Sequence, residues 1–502
     1  MNRPIRTLCL LAVFAAASPM VNAQSLIACE GGSALNFPCS SIDLASNLTP
    51  AELGGSDGKD IWGWTDPLDG KEYVIIALDN GTAFVDISEP SSPVFLGRIE
   101  TATFATTWRD VKVYSDHAFI VADGAGNHGM QVFDLTRLRN VANPPETFTP
   151  DFNFHDVTSA HNIVINEDSG YAYAVGAGAC NDGFQMINIQ NPTNPVSAGC
   201  AERGYTHDAQ CVIYDGPDTD YLGHEICIGA NGRFDNSDFV TIFDVTDKNN
   251  PIHIADVTYP NPGYAHQGWF TDDMRYWIMD DELDEGDIPL FNTRTVIFDL
   301  EDLDNPDFHA FYFGPVGSSD HNLYVRGRYA FLSNYSSGLR VLDLTDIDSG
   351  VLSEVGYFDT YPDNNDVGFS GQWSNYPYFD SGHIAMSDGV YGLFVVKTTF
   401  PIVTNSQTPE LPADAAHQLS SAYPNPFSDQ SRATLTVAEP QRVEINLFDI
   451  VGRKVATLFS GDVPSGTPLD VLVERGSLPA GLYIIHVQGE FFSETQRVSL
   501  VH

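Results

Sequence analysis

Gly81-Thr82-Ala83-Phe84-Val85-Asp86-Ile87-Ser88 decides the fold, because the same phrase is written seven times along the chain. It returns as Gln131-Val132-Phe133-Asp134-Leu135-Thr136, Gln185-Met186-Ile187-Asn188-Ile189, Thr241-Ile242-Phe243-Asp244-Val245-Thr246, Val296-Ile297-Phe298-Asp299-Leu300, Arg340-Val341-Leu342-Asp343-Leu344-Thr345 and Leu393-Phe394-Val395-Val396-Lys397. Marker positions 86, 134, 188, 244, 299, 343 and 397 lie 44 to 56 residues apart. That step is the length of a four-stranded propeller blade and too long for a short-repeat solenoid. Around each marker the apolar residues alternate over four to eight positions, and no long stretch carries a helical period. The expectation is an all-β chain: a seven-bladed β-propeller over residues 24–400.

Closing such a ring requires the chain ends to share a blade, since free sheet edges invite aggregation. The seventh unit has a poor fourth strand after Phe400, and residues 37–48 are placed to supply it. Asp86, Asp134, Asp244, Asp299 and Asp343 stand before turns, where an aspartate side chain bonds the backbone two residues on. They are expected to be architecture, not a charged belt.

The first 23 residues have the layout of a cleaved export signal, with Arg3 and Arg6, an apolar run over residues 8–17 and Val21-Asn22-Ala23 at the cleavage point. The apolar run is too short to span a bilayer, and nothing later reaches the roughly 20 apolar residues a span requires. Beyond Cys9, six cysteines fall in near pairs, Cys29 with Cys39, Cys180 with Cys200 and Cys211 with Cys227. An even count in an oxidising compartment reads as disulfides, and nearness along the chain suggests these three. The 502 residues carry 67 acidic against 24 basic side chains, a formal charge of -43. A field of that sign excludes nucleic acid and anionic membrane as partners, favours cations and keeps a protein soluble in salt.

Residues 401–420 have a linker composition, and residues 421–502 read as a small Ig-like β-sandwich. Tyr423-Pro424-Asn425-Pro426-Phe427, Leu447-Phe448-Asp449 with Gly452-Arg453, and Leu478-Pro479-Ala480-Gly481-Leu482-Tyr483 carry the resemblance here. This module resembles the type A C-terminal sorting domain of the type IX secretion system. The resemblance implies engagement of that secretion machinery through residues 421–502 and a protein released or left on the outer cell surface.

Aligning the units by their first strands brings up a second ladder. His161, His207, His266 and His321 share one place in units three to six, and Arg109 takes it in unit two. Trp62 or Trp64 falls near it in the first unit, and Gln372 or Trp373 in the last. First strands line a propeller's channel, so the ladder is expected to be a ring. Three readings stay open: a wet channel lining, a transition-metal site of zinc, iron or copper on some of the four histidines, or a metal-free acid/base or ligand site. Asp110, Asp156, Asp208 and Asp320 are candidate acceptors for metal-bound imidazoles. In unit five, Asp280-Asp281-Glu282-Leu283-Asp284-Glu285-Gly286-Asp287 replaces a short loop; Asp280, Asp281 and Glu282 are calcium candidates, although the alternation of an EF-hand is missing. Nucleophile elbow, phosphate loop and zinc-protease helix are absent from the sequence.

Taken together, Asp60-Ile61-Trp62-Gly63-Trp64-Thr65, the stretch at 81–88, Ser159-Ala160-His161-Asn162, Tyr205-Thr206-His207-Asp208-Ala209-Gln210, His266-Gln267-Gly268-Trp269 and Asp320-His321-Asn322-Leu323 are similar to the choice-of-anchor B family, whose units are akin to the LVIVD surface repeat. The resemblance covers residues 29–400 and implies an exported propeller without implying an activity. The expected role is a binding protein that takes a small-molecule or surface ligand at the channel mouth on Arg109 and the four histidines, walled by Trp62, Trp64, Trp269 and Trp373. The alternative is an extracellular metalloenzyme using the same histidines.

Overall fold

The computed structural model describes residues 26–232, 238–287, 292–402 and 417–501, the last with short gaps. The expected export signal, most of the 401–420 linker, and Tyr423, Pro424 and Gly452 lie outside the described residues.

Seven sheets follow one another along the chain, each with a core of four antiparallel strands that are consecutive in sequence except in blades two and seven. Blade five is representative, with strands Ala265–Phe270, Tyr276–Asp281, Arg294–Asp299 and Asp307–Phe313 paired in order. The second and third strands of the blades are almost wholly buried, which is why they read as nearly unbroken apolar runs. First strands pack side by side around the axis: Gly58–Thr65, Arg109–Tyr114, Asn162–Asn166, Asp208–Ile213, Ala265–Phe270, Asn322–Arg326 and Gln372–Tyr376, the last against the first again. That circuit closes the ring.

Closure uses the N-terminal segment, with a division of labour that the sequence did not disclose. Ile42–Leu48 pairs antiparallel with Gly392–Thr398 as the fourth strand of blade seven. Phe37–Ser40 instead extends blade six, with Cys39 opposite Phe358. A second exchange occurs between blades one and two, where Glu146–Phe148 lies parallel to Val94–Glu100 before Phe152–Phe154 completes blade two.

The marker residues are turn anchors. Thr136, Thr246 and Thr345 each donate a backbone N–H to the carboxylate two residues earlier at 2.9 Å, as does Ser88 to Asp86. Asp299 accepts from Glu301 at 3.0 Å, and Asn188 does the same for Gln190. All three expected disulfides are present, Cys29–Cys39, Cys180–Cys200 and Cys211–Cys227. Cys211 and Cys227 face each other directly in register on neighbouring strands.

The C-terminal module is a sandwich. Gln430–Val437 pairs with Leu469–Glu474, while Gln441–Asp449 lies between Lys454–Val463 and Gly481–Gln488, with Ser493–Leu500 outside. Leu435, Val437, Val443, Ile445, Val471, Ile485 and Val498 alternate inward from both sheets to form its core.

Candidate functional site

One register argument fixes the ladder. Asp60, Asp110 and Asp208 each accept the N–H of the next residue, Ile61, Val111 and Ala209, at 2.6 to 2.7 Å. The residues just before them are therefore equivalent, and the ring reads Lys59, Arg109, His161, His207, His266, His321 and Trp373. Blade one contributes Lys59, in place of the expected Trp62 or Trp64. Its ammonium bonds Asp57 at 2.7 Å and lies 4.9 Å from the Trp373 ring.

The four imidazoles stand in a row with ring centroids 4.5, 4.2 and 4.4 Å apart, from His161 to His207, His266 and His321. Each is held by Nδ1. His207 donates to the carbonyl of His266 at 3.2 Å, His266 to that of His321 at 2.7 Å, and His321 to that of Trp373 at 2.5 Å. A carbonyl oxygen only accepts, so Nδ1 carries the hydrogen and Nε2 keeps its lone pair. Blade-to-blade pitch thus imposes one tautomer on three histidines. His161 differs, pairing Nδ1 with Asp123 Oδ2 at 3.1 Å, and Gly176, at φ +56°, leaves its backbone space against the His161 Cβ. Orientation therefore comes from carbonyls of the next blade and from Asp123, not from Asp110, Asp156, Asp208 or Asp320 as expected. Asp110 accepts the N–H of Ile163 and the ammonium of Lys112, and Asp156 accepts the Ser197 hydroxyl.

The free nitrogens meet a carboxylate that belongs to the acidic loop. Glu282 lies 3.7 Å from His266 Nε2 and 4.0 Å from His321 Nε2, and one ligand atom from each of the three falls within 4.8 Å of the others. Tyr335 donates its hydroxyl to Glu282 Oε1 at 2.7 Å. Tyr335 itself holds φ +32°, a conformation that costs a non-glycine residue about 1–3 kcal/mol and is retained where the surroundings impose it. Burial pushes His207 and His266 well below the ordinary imidazole range and His321 down to about 4. These rings are neutral at pH 7, the state in which an imidazole ligates metal. Burial raises Glu282 to about 7, against the opposing hydrogen bond from Tyr335.

Above this floor is a bowl of about 900 Å³ walled by Trp108, Tyr205, Tyr264, Tyr335, Phe369 and Trp373. Only Trp373 of the expected walls is among them. Trp62 and Trp269 line a separate space of about 250 Å³ with Lys112 and Tyr324, and Trp64 is packed on Tyr73 in the core with Nε1 bonded to Asp116. They lie three or more residues past the ladder position, so on a strand rising about 3.3 Å per residue they reach the other end of the channel. Arg109 keeps its ladder position but is only 2% exposed. Its guanidinium bonds the Asp79 carbonyl and His128, each at 3.3 Å, and the Thr101 hydroxyl, which makes it a strut between blades. Sequence reading missed Glu282 as a partner of the histidines, together with Asp123, Trp108 and the three tyrosines. A signal existed for two of them: Tyr205 and Tyr264 each stand two residues before a ladder histidine.

The acidic loop divides. Asp281 accepts from Tyr259, Gly263, Tyr264 and Arg294 at 2.7, 2.8, 2.5 and 3.2 Å, so its oxygens are already used. Glu282 turns to the histidines. Asp280 is buried and feels the charges of Asp284 and Asp281, while Glu282 is not among the groups acting on it. The expected trio of Asp280, Asp281 and Glu282 is therefore not one site.

A model of the LVIVD repeat matches residues 70–101, and a model of the secretion system C-terminal sorting domain matches residues 421–500. No curated protein matches the chain. Among solved structures, a putative 6-phosphogluconolactonase from Bacteroides uniformis shares 13% identity at a TM-score of 0.44, covering 63% of this chain and 90% of that one. The periplasmic gluconolactonase PpgL of Pseudomonas aeruginosa shares 15% at 0.41, covering 70% and 98%. U3-55K shares 10% at 0.43, covering 71% and 98%. Likeness this remote says nothing about activity. The sorting domain marks export to the cell surface or beyond, which agrees with three disulfides, and no described helix is long and apolar enough to cross a membrane. The chain is thus a β-propeller with an LVIVD repeat in its first blade and a type IX secretion C-terminal sorting domain at its end.

Proposed function

We propose that this exported propeller binds a small ligand in the aromatic bowl, at a first-row transition-metal ion held by His266, His321 and Glu282, with His207 and His161 beside them in the row. The supporting observation is the pairing of fixed Nδ1 donors with Nε2 atoms 3.7 and 4.0 Å from one carboxylate. Tetrahedral zinc with bonds of about 2.0–2.1 Å places ligand atoms roughly 3.4 Å apart; two of the three pairs stand at 3.7 and 4.0 Å and the third within 4.8 Å, so a small inward shift of the side chains would close the set. Two imidazoles and one carboxylate with open positions suit iron or zinc, and leave room for a ligand or an activated water. Six aromatic walls favour a ligand with flat apolar faces. The export route puts this chemistry outside the cell.

The test is elemental analysis of untagged protein prepared without chelator, alongside His266→Ala/His321→Ala. Near-stoichiometric zinc, iron or copper that is lost in the variant is the expected result. A folded wild-type protein that takes up none of these ions, even when they are supplied, would overturn the metal assignment. The bowl then remains as a metal-free ligand site, a reading favoured by its aromatic walls and by the Tyr335–Glu282 hydrogen bond.

A further inference from the structure

Close along the chain to Glu282 and His321 lies a set of buried carboxylates that the proposed ligand site does not use. Asp280 is the last residue but one of the second strand of blade five, Asp284 and Glu285 begin the short helix Asp284–Asp287, and Asp320 precedes the first strand of blade six. Asp280, Asp284 and Asp320 are 0% exposed and Glu285 is 6% exposed. All four carboxylate oxygens of Asp280 and Asp320, and Oδ1 of Asp284, lack a hydrogen-bond partner. The charges acting on Asp320 are those of Glu285, Asp280, Asp284 and Asp281, so these groups face one another across the blade boundary. Arg294 serves Asp284 and Asp281 and the carbonyls of Pro260 and Asn261; its bonds do not extend to Asp280 or Asp320.

Buried carboxylates without donors carry a desolvation cost of several kcal/mol each unless something positive lies between them. Ionised together, five carboxylates and one guanidinium would place four net negative charges in one dry pocket, and burial opposes this by raising Asp280, Asp284, Glu285 and Asp320 toward the protonated state unless a cation sits among them. We infer that Asp280, Asp284, Glu285 and Asp320 hold a hard divalent cation, calcium, between blades five and six. Oxygen-only donors select a hard ion over zinc or copper. Their oxygens do not gather within the 4.8 Å that unites His266, Glu282 and His321. Calcium, with bonds of about 2.3–2.6 Å and a flexible shell, takes several carboxylates at once, whereas magnesium takes one or two at about 2.0–2.1 Å and keeps its waters. The position gives the ion a task. Asp280 and Asp284 flank Glu282 two residues to either side and Asp320 directly precedes His321 in sequence, so the cation fixes the two segments that present those ligands.

The experiment uses the full chain, freed of calcium with EGTA, in about 150 mM salt to suppress diffuse binding to the acidic surface. Calcium chloride is then added to about 10 mM, above the dissociation constants of about 0.1–1 mM usual for extracellular modules. The expected result is a rise in Tm on the order of 5 °C that the same concentration of magnesium does not reproduce. Asp280→Asn/Asp320→Asn should reverse the sign: more stable than wild type in EGTA, because the repulsion is gone, and unresponsive to calcium. Single Asp280→Asn serves if the double variant does not fold, and should respond at least 10-fold more weakly to calcium. Absence of a calcium-dependent rise in the wild type, an equal rise with magnesium, or a full response in the variants would overturn the assignment. His266→Ala should keep the calcium response, so this site stands or falls separately from the histidine centre.

Discussion

His266 shows how much one residue type gains from its position in this fold. Its Nδ1 hydrogen is fixed by the carbonyl of the same ladder position one blade on, and its Nε2 is left facing Glu282. Tyr335 in turn holds that carboxylate. Tyr335→Phe removes the donor and little volume, and is expected to weaken metal affinity about 10- to 100-fold with the fold intact, measured by competition with a chromogenic chelator. Arg109 supports the opposite expectation. It shares the ladder but bonds Thr101, His128 and a carbonyl, so Arg109→Ala should cost about 2–3 kcal/mol in denaturant unfolding while metal content stays unchanged. Metal loss in a folded Arg109→Ala protein would return the arginine to the site. Both roles escaped the sequence because residues in one register position share a Cα location, not a side-chain direction.

At the level of elements, inner strands and loops behave differently. Polar side chains on the first strands tie neighbouring blades: Asp110 accepts from Ile163, Gln210 from Phe270 and Gln267 from Leu323, at 2.7, 2.7 and 2.8 Å. Blade seven adds a buried acid, Asp388, which accepts from Thr360, Val390 and Tyr391, each at 2.7 Å. Burial nevertheless raises its pKa from 3.8 to about 6. The folded state then holds this proton more tightly than the unfolded state, so its contribution is complete below about pH 4 and is lost as pH climbs through about 6. A shift of that size corresponds to up to about 3 kcal/mol. Asp388→Asn should flatten the fall in Tm between pH 4 and 6; an unchanged slope would assign that fall to other groups. The turn anchors were legible because a side-chain bond to the backbone two residues on is local. Glu282 was not, because its partners His266 and His321 come from the first strands of two blades.

The whole molecule is a ring closed by a strand from its own beginning. Deleting residues 26–48 strips Ile42–Leu48 from Gly392–Thr398 and bares that edge, so the truncated chain should elute as aggregates on gel filtration. A monodisperse, folded truncation would show that the ring is held by its inner strands alone. The charge of -43 also acts at this scale, since mutual repulsion opposes the compact state. Raising sodium chloride from about 10 mM to about 1 M shortens the screening length from about 30 to about 3 Å, and Tm should rise along that series. The sequence alone determined the seven blades and the export tail, and suggested the disulfide partners that the structure pairs. Each rests on repetition, a contiguous motif or nearness along the chain. Tertiary structure alone decided that Glu282 joins the histidines, that Trp62 and Trp269 face a different space, that Arg109 is a strut, and that Asp280 meets Asp320. Those outcomes depend on strand direction and on contacts between blades some fifty residues apart, and a linear pattern fixes the register of a strand without fixing which neighbour its side chains meet.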